Sequence, residues 1–255
     1  MQLDALKILV TGGASGMGRY FSLKLAQAGA QVATCDLNEE GLASLAAEAE
    51  GLPGRIETYR ANVANEEDVI GLFDQAWADF EGLNGLINNA GIFRDGLLIK
   101  KDRKTGDIRK MSLKHWQQVI DVDLTGPFLC VRELAERHIR GDGGEAVIIN
   151  ISSIARHGNV GQSNYSAAKA GLAADTVVWA KELARYGIRV GAIAPGFVDT
   201  PILQGMRPEV LENMVKAVPL RRVATPEEIF AGVRFIAECG YFTGRCIDID
   251  GGMRL

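Results

Sequence analysis

The sequence predicts an α/β fold: a parallel sheet, doubly wound, with helices on both faces. Three observations carry this. Short apolar runs alternate with helical stretches along the whole chain of 255 residues. The runs are continuously apolar, as strands buried on both faces require, and do not alternate with polar residues. The first run leads through a cluster of glycines, T-G-G-A-S-G-M-G over Thr11 to Gly18, straight into a helix. No linker or shift in composition divides the chain, so residues 1–255 read as one domain.

Taken in order, the first strand runs from Leu6 to Thr11, and an amphipathic helix follows the glycines to about Gly29. Gln31 to Cys35 is the second strand, closing on Asp36, with a helix from Glu39 to Glu50. Ile56 to Arg60 and a helix from Asn65 to Phe80 form the next unit. Leu83 to Ile87 is the fourth strand and ends in Asn88-Asn89-Ala90-Gly91. After a charged segment, one long helix is expected from about Leu113 to Arg140. Ala146 to Ile151 is strand five, followed by a helix from Gln162 to Tyr186 and strand six at Arg189 to Ile193. Helical pieces at Glu209 to Lys216 and Pro226 to Glu238 precede strand seven, Arg245 to Ile249.

Composition narrows the function. A net charge of −4 and a pI near 5.5 give no support to a nucleic-acid or anionic-membrane partner. Cys35, Cys130, Cys239 and Cys246 lack C-x-x-C or metal spacing, and His115, His138 and His157 are scattered, so no metal is expected. The cysteines read as reduced residues of a cytoplasmic protein, a Cys239–Cys246 pairing being disfavoured. The apolar run Leu6 to Val10 is too short for a signal peptide, and no run approaches the roughly 20 apolar residues of a membrane span.

The chemistry concentrates after strand five. Ser152 and Ser153 end that strand, and Tyr165 and Lys169 lie at i and i+4 on one face of the next helix. An ammonium beside a phenol favours the phenolate, and a serine hydroxyl can hold the reacting oxygen against it. Together they form a proton-transfer site for an alcohol or ketone. The Y-x-x-x-K spacing alone is weak, because Tyr20 and Lys24 repeat it. That second pair sits on the first helix with no serine-ended strand beside it, and reads as a surface and packing pair.

Strand, glycine turn and helix in that order suit a dinucleotide, because glycines let the backbone approach a pyrophosphate at a helix N-terminus. The spacing here is G-x-x-x-G-x-G, with Gly12, Gly16 and Gly18 flanking Ser15 and Met17. Asp36 ends strand two, eighteen residues beyond Gly18. A carboxylate there accepts from ribose hydroxyls and repels a 2′-phosphate, which favours NAD(H) over NADP(H). The alternative is that Asp36 only caps the next helix.

These residues, in this order and on these elements, closely resemble the short-chain dehydrogenase/reductase family across essentially the whole chain. The matching motifs are Thr11-Gly12-x-x-x-Gly16-x-Gly18, Asn88-Asn89-Ala90-Gly91, Ser153, Tyr165-x-x-x-Lys169 and Pro195-Gly196. The resemblance implies a seven-stranded Rossmann sheet, hydride transfer with a nicotinamide, and a homotetramer or dimer. Tyr165 would be the general acid/base, Lys169 would lower its pKa and bind the nicotinamide ribose, and Ser153 would hold the substrate oxygen. Asn89, Ala90 and Gly91 would support the ribose side, Pro195 and Gly196 would wall the nicotinamide, and Val198 and Thr200 would lie near its carboxamide. The family's usual Ser-to-Tyr count points to Ser152, whereas strand context points to Ser153, and context is preferred.

The chain departs from the family twice. Asn62, followed by Val63, stands where the family often has an adenine-contacting Asp. Asp123 stands where a catalytic Asn is usual, and a carboxylate there would raise the pKa of Lys169 and weaken its effect on Tyr165. The segment Gly91 to Trp116 is long, with a hairpin turn at Lys104-Thr105-Gly106-Asp107 and seven basic against two acidic residues from Lys100 to Lys114. It is either a solvated hairpin or a basic patch for an acidic acyl carrier or coenzyme A phosphates. The insert and the chain-wide likeness are similar to the branches holding type-2 3-hydroxyacyl-CoA dehydrogenases and 3-oxoacyl-carrier-protein reductases. A 3-hydroxyacyl/3-oxoacyl thioester is therefore the favoured substrate. An NADP(H) carbonyl reductase, a steroid or sugar-alcohol dehydrogenase, and a non-catalytic dinucleotide sensor stay open. Phe197 to Pro219, with Phe197, Ile202, Leu203, Met206, Met214 and Val218, reads as an apolar substrate lid or as ordinary packing, and His157 as an optional substrate contact. The helix Gln162 to Tyr186 is apolar on more than one face, so one face is expected to meet a second subunit.

Overall fold

The computed structural model describes residues 1–141, 143–204 and 208–253, with the backbone alone at positions 202, 204, 208 and 210. Seven strands form one parallel sheet: β1 (Lys7–Thr11), β2 (Gln31–Asp36), β3 (Arg55–Arg60), β4 (Gly85–Asn88), β7 (Ala146–Ile151), β8 (Ile188–Pro195) and β9 (Arg245–Ile249). Their spatial order is β3-β2-β1-β4-β7-β8-β9. Helices cover both faces: α1 (Gly16–Gln27), α2 (Glu39–Glu48), α3 (Glu66–Phe80), α4 (Leu113–Ile120), α5 (Gly126–Arg140), α6 (Ser163–Leu183), and α9 (Pro226–Glu238). This is the doubly wound, Rossmann-type arrangement. No helix among the described residues is long and apolar enough to cross a membrane.

The five central strands are dry on both sides, which explains their apolar runs, whereas the edge strands β3 and β9 are partly exposed. On β1, Ile8 and Val10 join Phe21 and Leu25 of α1 and Ile229 and Val233 of α9. Leu9, pointing the other way, joins Phe73 of α3, Leu134 of α5 and Ile148 of β7. Each such side chain contributes about 1.5–3 kcal/mol on burial. Side-chain caps start the helices where the sequence places Asn or Thr. Asn38 accepts from Gly41 N, Asn65 accepts from Asp68 N, and Thr225 with Glu228 forms a reciprocal capping box.

One element differs from the sequence-based expectation. The long helix after the insert is helical from Leu113 to Arg140, but its middle, Asp121–Thr125, widens into a π turn. There the Gly126 N–H reaches back five residues to the Asp121 carbonyl. A one-residue widening leaves no mark on apolar periodicity, and such turns recur at functional sites. The insert does form a hairpin, β5 (Ile99–Lys101) with β6 (Ile108–Lys110), as a separate antiparallel pair. Two short helices, α7 (Pro201–Gln204) and α8 (Pro208–Ala217), occupy the expected lid segment.

The chain order reverses between β1 and β4, which are sheet neighbours. The loops leaving their C-terminal ends therefore diverge, and a crevice opens between them. Gly12 and Gly18 make the packing behind that crevice possible. A Cβ on Gly18 would lie 2.1 Å from the Gly12 carbonyl oxygen and 2.5 Å from Asn89 Nδ2. Gly12 has φ +72°, and its Cβ would meet Ala90 Cα at 2.9 Å. Gly18→Ala is therefore expected to overpack the turn at a cost of about 1–3 kcal/mol, lowering Tm by several degrees. Thermal unfolding checks this, and an unchanged Tm contradicts it.

Candidate active site

One cleft of about 980 Å³ runs along the C-terminal ends of the strands. Gly12, Ser15, Gly16, Met17 and Asp36 line it from the glycine turn and the end of β2, Asn89, Ala90 and Gly91 from the loop after β4, and Ser153, Tyr165 and Lys169 from the end of β7 and α6. Pro195, Gly196, Val198 and Thr200 line it from the β8 side. These sequence-selected residues thus converge, although they come from six separate segments of the chain.

Thr11 and Asn89 lock the two switch-point loops together. The Thr11 hydroxyl accepts from the Asn89 and Ala90 N–H groups, each at 3.0 Å. The Asn89 amide donates to the carbonyls of Thr11 at 2.9 Å and Gly12 at 3.2 Å. The Asn89 side chain therefore fixes the glycine turn. Asp36 is held at the end of β2, accepting from Ala14 N at 3.0 Å and Asn38 N at 3.1 Å. A carboxylate has lone pairs to spare beyond these two bonds. A helix N-terminus, a glycine turn and a carboxylate in line fit an adenine dinucleotide.

Helix α6 is fastened to the sheet beneath the reacting groups. Asn88 Nδ2 donates to Asn150 Oδ1 at 2.8 Å, and Asn150 Nδ2 to the Thr176 hydroxyl at 2.9 Å. The two serines part ways at the end of β7. Ser152 is buried and donates to the Lys169 carbonyl at 2.9 Å. Ser153 starts a short 3-10 turn, Ile154–His157, accepts from Ala155 N, and its hydroxyl is near enough to the Tyr165 phenol to lower its pKa.

Lys169 is buried. Its Nζ donates to the Ile151 carbonyl at 3.1 Å, stands 5.5 Å from the centre of the Tyr165 ring, and lies 3.3 Å from Asp123 Oδ2. Asp123 comes from the middle of the π turn, is fully buried, and accepts from Ile92 N at 2.9 Å through Oδ1. Its Oδ2 forms a buried ion pair with the ammonium. Burial pushes Asp123 above the usual carboxylate range, against the pull of Lys169. For Lys169 burial opposes the charge, but the neighbouring Asp123 and Tyr165 outweigh it and its pKa is raised. Tyr165 is raised as well. Burial is the main cause, Lys169 pulls the other way, Asp123 and Asp95 add to the rise, and the Ser153 hydroxyl subtracts from it. The expected lowering of Tyr165 by its lysine is thus present in direction but overcome.

Not every candidate reaches the cleft. Gly18 stands behind the turn, and Val63 is buried against Gly126. Asn62 Oδ1 accepts from Ala64 N at 3.1 Å, and the residue does not line the cleft. His157 is exposed and also lies off it. Phe197, Leu203 and Met214 of the lid segment do line it, whereas Val218 packs with Ile154 and Met253, and Met206 and the Ile202 side chain lie outside the described residues. Tyr20 and Lys24 form a surface cluster with Glu227. The tyrosine hydroxyl donates to that carboxylate, Lys24 lies 3.7 Å from it, and burial followed by that bond pushes the phenol up to about 12.

Sequence reasoning passed over Phe93, Asp95, Asn159, Gln162 and Met253, all of which line the cleft. The Phe93 ring packs on Tyr165 with centroids 4.6 Å apart and planes at 38°. Asp95 accepts from Gln162 Nε2 at 3.0 Å. The readable signal for Phe93 and Asp95 was position. They follow Asn88-Asn89-Ala90-Gly91, in a loop leaving the sheet at the switch point, where loops face the crevice.

Comparison with known proteins agrees with this geometry. A family profile described as Enoyl-(Acyl carrier protein) reductase matches residues 12–254. The chain is 39% identical over 256 residues to a 3-oxoacyl-(acyl-carrier-protein) reductase of Thermotoga maritima, covering 99% of each. It is 38% identical to the enzyme of the same name from Synechocystis sp., covering 98% of each. It is 35% identical to a (3R)-3-hydroxyacyl-CoA dehydrogenase of Canis lupus familiaris, covering 99% of this chain and 98% of that one. The chain belongs to the short-chain dehydrogenase/reductase family, a family of oxidoreductases that use a nicotinamide dinucleotide.

Asp123→Asn keeps an acceptor for Ile92 N but removes the charge that raises both Lys169 and Tyr165. A lower Tyr165 pKa means the phenolate forms at lower pH. The rising limb of alcohol oxidation with pH is therefore expected to move down in pH, with activity retained. Rate profiles of both proteins check this, and an unmoved or upward-moved limb, or loss of all activity, contradicts it.

Proposed function

We propose that the chain is an NAD(H)-dependent oxidoreductase that interconverts a secondary alcohol and a ketone, with a 3-hydroxyacyl/3-oxoacyl thioester as substrate. The observation that carries this reading is the convergence of Ser153, Tyr165 and Lys169 in the same cleft as the glycine turn. When bound, a nicotinamide dinucleotide supplies or accepts the hydride at the substrate carbon. In reduction the Tyr165 phenol gives its proton to the substrate oxygen, held by the Ser153 hydroxyl, as that carbon gains the hydride. Lys169 then balances the phenolate until a proton returns from solvent. In oxidation the phenolate takes the hydroxyl proton. The cleft wall of Phe93, Phe197, Leu203, Met214 and Met253 supports an apolar acyl chain as the remote part of the substrate. The names of the relatives support a thioester at its head.

Preference for NAD(H) rests on Asp36 and on the state of the nearest cations. Arg19 donates to the Gly41 carbonyl at 3.1 Å and pairs with Glu48 at 2.5 Å, and Arg60 pairs with Glu39 at 2.8 Å. Both are engaged with acidic side chains, and Asp36 repels a 2′-phosphate. A homo-oligomer fits the exposed Phe128 on α5 and Val178 on α6.

Nicotinamide absorbance with a panel of 3-oxoacyl thioesters and other ketones tests the reading. Tyr165→Phe is expected to lower kcat by about 10²–10⁴-fold while NADH still binds. Tight NADH binding with no turnover of any substrate by the unaltered protein overturns the enzyme reading. Asp36→Ala is expected to lower kcat/KM with NADH and raise it with NADPH. A preference of the unaltered protein for NADPH overturns the cofactor assignment.

A further inference from the structure

The basic insert has a place in the fold but no role in the chemistry above. From Lys100 to Lys114 it holds seven basic and two acidic side chains, a surplus of five positive charges in a chain whose net charge is −4. Among the described residues none of the seven cations has a carboxylate within ion-pairing distance. Elsewhere Arg132, Arg137, Arg156, Arg189 and Arg222 are each paired. The two acids of the insert are spent on its turn. Asp102 Oδ1 accepts from the N–H groups of Lys104 at 2.8 Å and Thr105 at 3.1 Å, and Asp107 Oδ2 accepts from the Thr105 hydroxyl at 2.7 Å.

The ladder places these cations unfavourably for an isolated hairpin. Lys100 stands directly across from Arg109, a like-charge cross-strand pair that costs free energy. On the opposite face Ile99 stands across from Lys110, and Lys101 across from Ile108. Ile99 and Ile108 are 64% and 68% exposed, and Leu98 beside them 66%. An amphipathic, cationic ribbon therefore stands free of the body of the protein.

Its root is the rim of the cleft. Phe93 and Asp95 line the cleft, and the Gly96 N–H bonds to the Gly161 carbonyl at 2.8 Å. Ile99 is four residues beyond Asp95, at most about 14 Å of chain. A phosphate cluster on a small molecule calls for donors that converge on one point. Here the cations are spread over both faces and around the turn through Arg103 and Lys104, among exposed aliphatic side chains. That distribution fits an extended acidic surface carrying apolar residues of its own.

We propose that the β5–β6 hairpin is the docking surface for an acidic carrier protein that presents the acyl thioester to the cleft. This rests on the reading of the substrate as a thioester. Such a contact acts on association and weakens with salt, while the chemistry in the cleft is untouched.

The experiment uses an acetoacetyl group on three carriers: an acyl carrier protein, coenzyme A, and N-acetylcysteamine. The variant is Lys100→Glu/Lys101→Glu/Arg109→Glu, three exposed positions outside the catalytic cleft. KM for the carrier-protein thioester is expected to rise at least tenfold with kcat unchanged, and its dependence on salt to flatten. KM for the N-acetylcysteamine thioester is expected to stay the same, which also reports an intact fold. An equal rise for the coenzyme A thioester assigns the cations to nucleotide phosphates and overturns the proposal. So does an unchanged KM for the carrier-protein thioester. A change of oligomeric state in sedimentation assigns the hairpin to a subunit contact and also overturns it. If the unaltered enzyme turns over none of the three thioesters, the thioester reading itself fails, and the inference falls with it.

Discussion

The buried ammonium of Lys169 is the constraint around which the site is built. A charge out of water is tolerated only with partners at close range. Lys169 has three: the Ile151 carbonyl, the Asp123 carboxylate and the Tyr165 ring. With Tyr165 protonated, Asp123 and Lys169 sum to zero charge. Ionising Tyr165 then leaves one net negative charge in a dry pocket, and this is why the phenol is held protonated. On the proposed reading, a protonated phenol is the form that gives a proton to a ketone oxygen. A neutral residue at position 123 would leave burial and Asp95 to oppose the pull of Lys169, and so weaken the hold on the phenol proton.

The rest of the fold supplies this cluster with fixed walls. Asp123 reaches Lys169 from a π turn, and the same carboxylate holds the backbone of Ile92 in the loop after β4. Asn150 ties α6 to the sheet through Thr176, and Ser152 ties the end of β7 to the Lys169 carbonyl. Thr11 and Asn89 bind the loop after β4 to the glycine turn. The glycine turn and the proton-transfer residues are thus joined through hydrogen bonds between loops that are distant in sequence but adjacent at the switch point.

Much of this was legible in the chain. Period and turn chemistry placed the seven strands to within a residue or two, the central ones because a strand buried on both faces must be apolar throughout, the edge strands β3 and β9 by their place in the strand–helix alternation. The glycine spacing and Asp36 marked one part of the cleft lining, and the strand-ended serines with Tyr165 and Lys169 marked another. The structure separates Ser152 from Ser153 through a peptide orientation that no spacing encodes. It removes Asn62 from the cleft through a local bond to Ala64. The π turn, the Phe93 stack on Tyr165 and the direction of the Tyr165 shift all depend on packing between distant segments. The sequence showed that Asp123 was a carboxylate near Lys169. Only the fold shows that it is fully buried, and burial decides the sign.

The most direct test is the ultraviolet titration of phenolate absorbance in the cofactor-free protein, taken as the difference between the unaltered chain and Tyr165→Phe. The difference isolates Tyr165 from the other four tyrosines. Ionisation above the ordinary phenol value of about 10 is the result this account requires. A Tyr165 component that titrates at or below that value would contradict it, because burial, with the charge of Asp123, would then not outweigh the pull of Lys169.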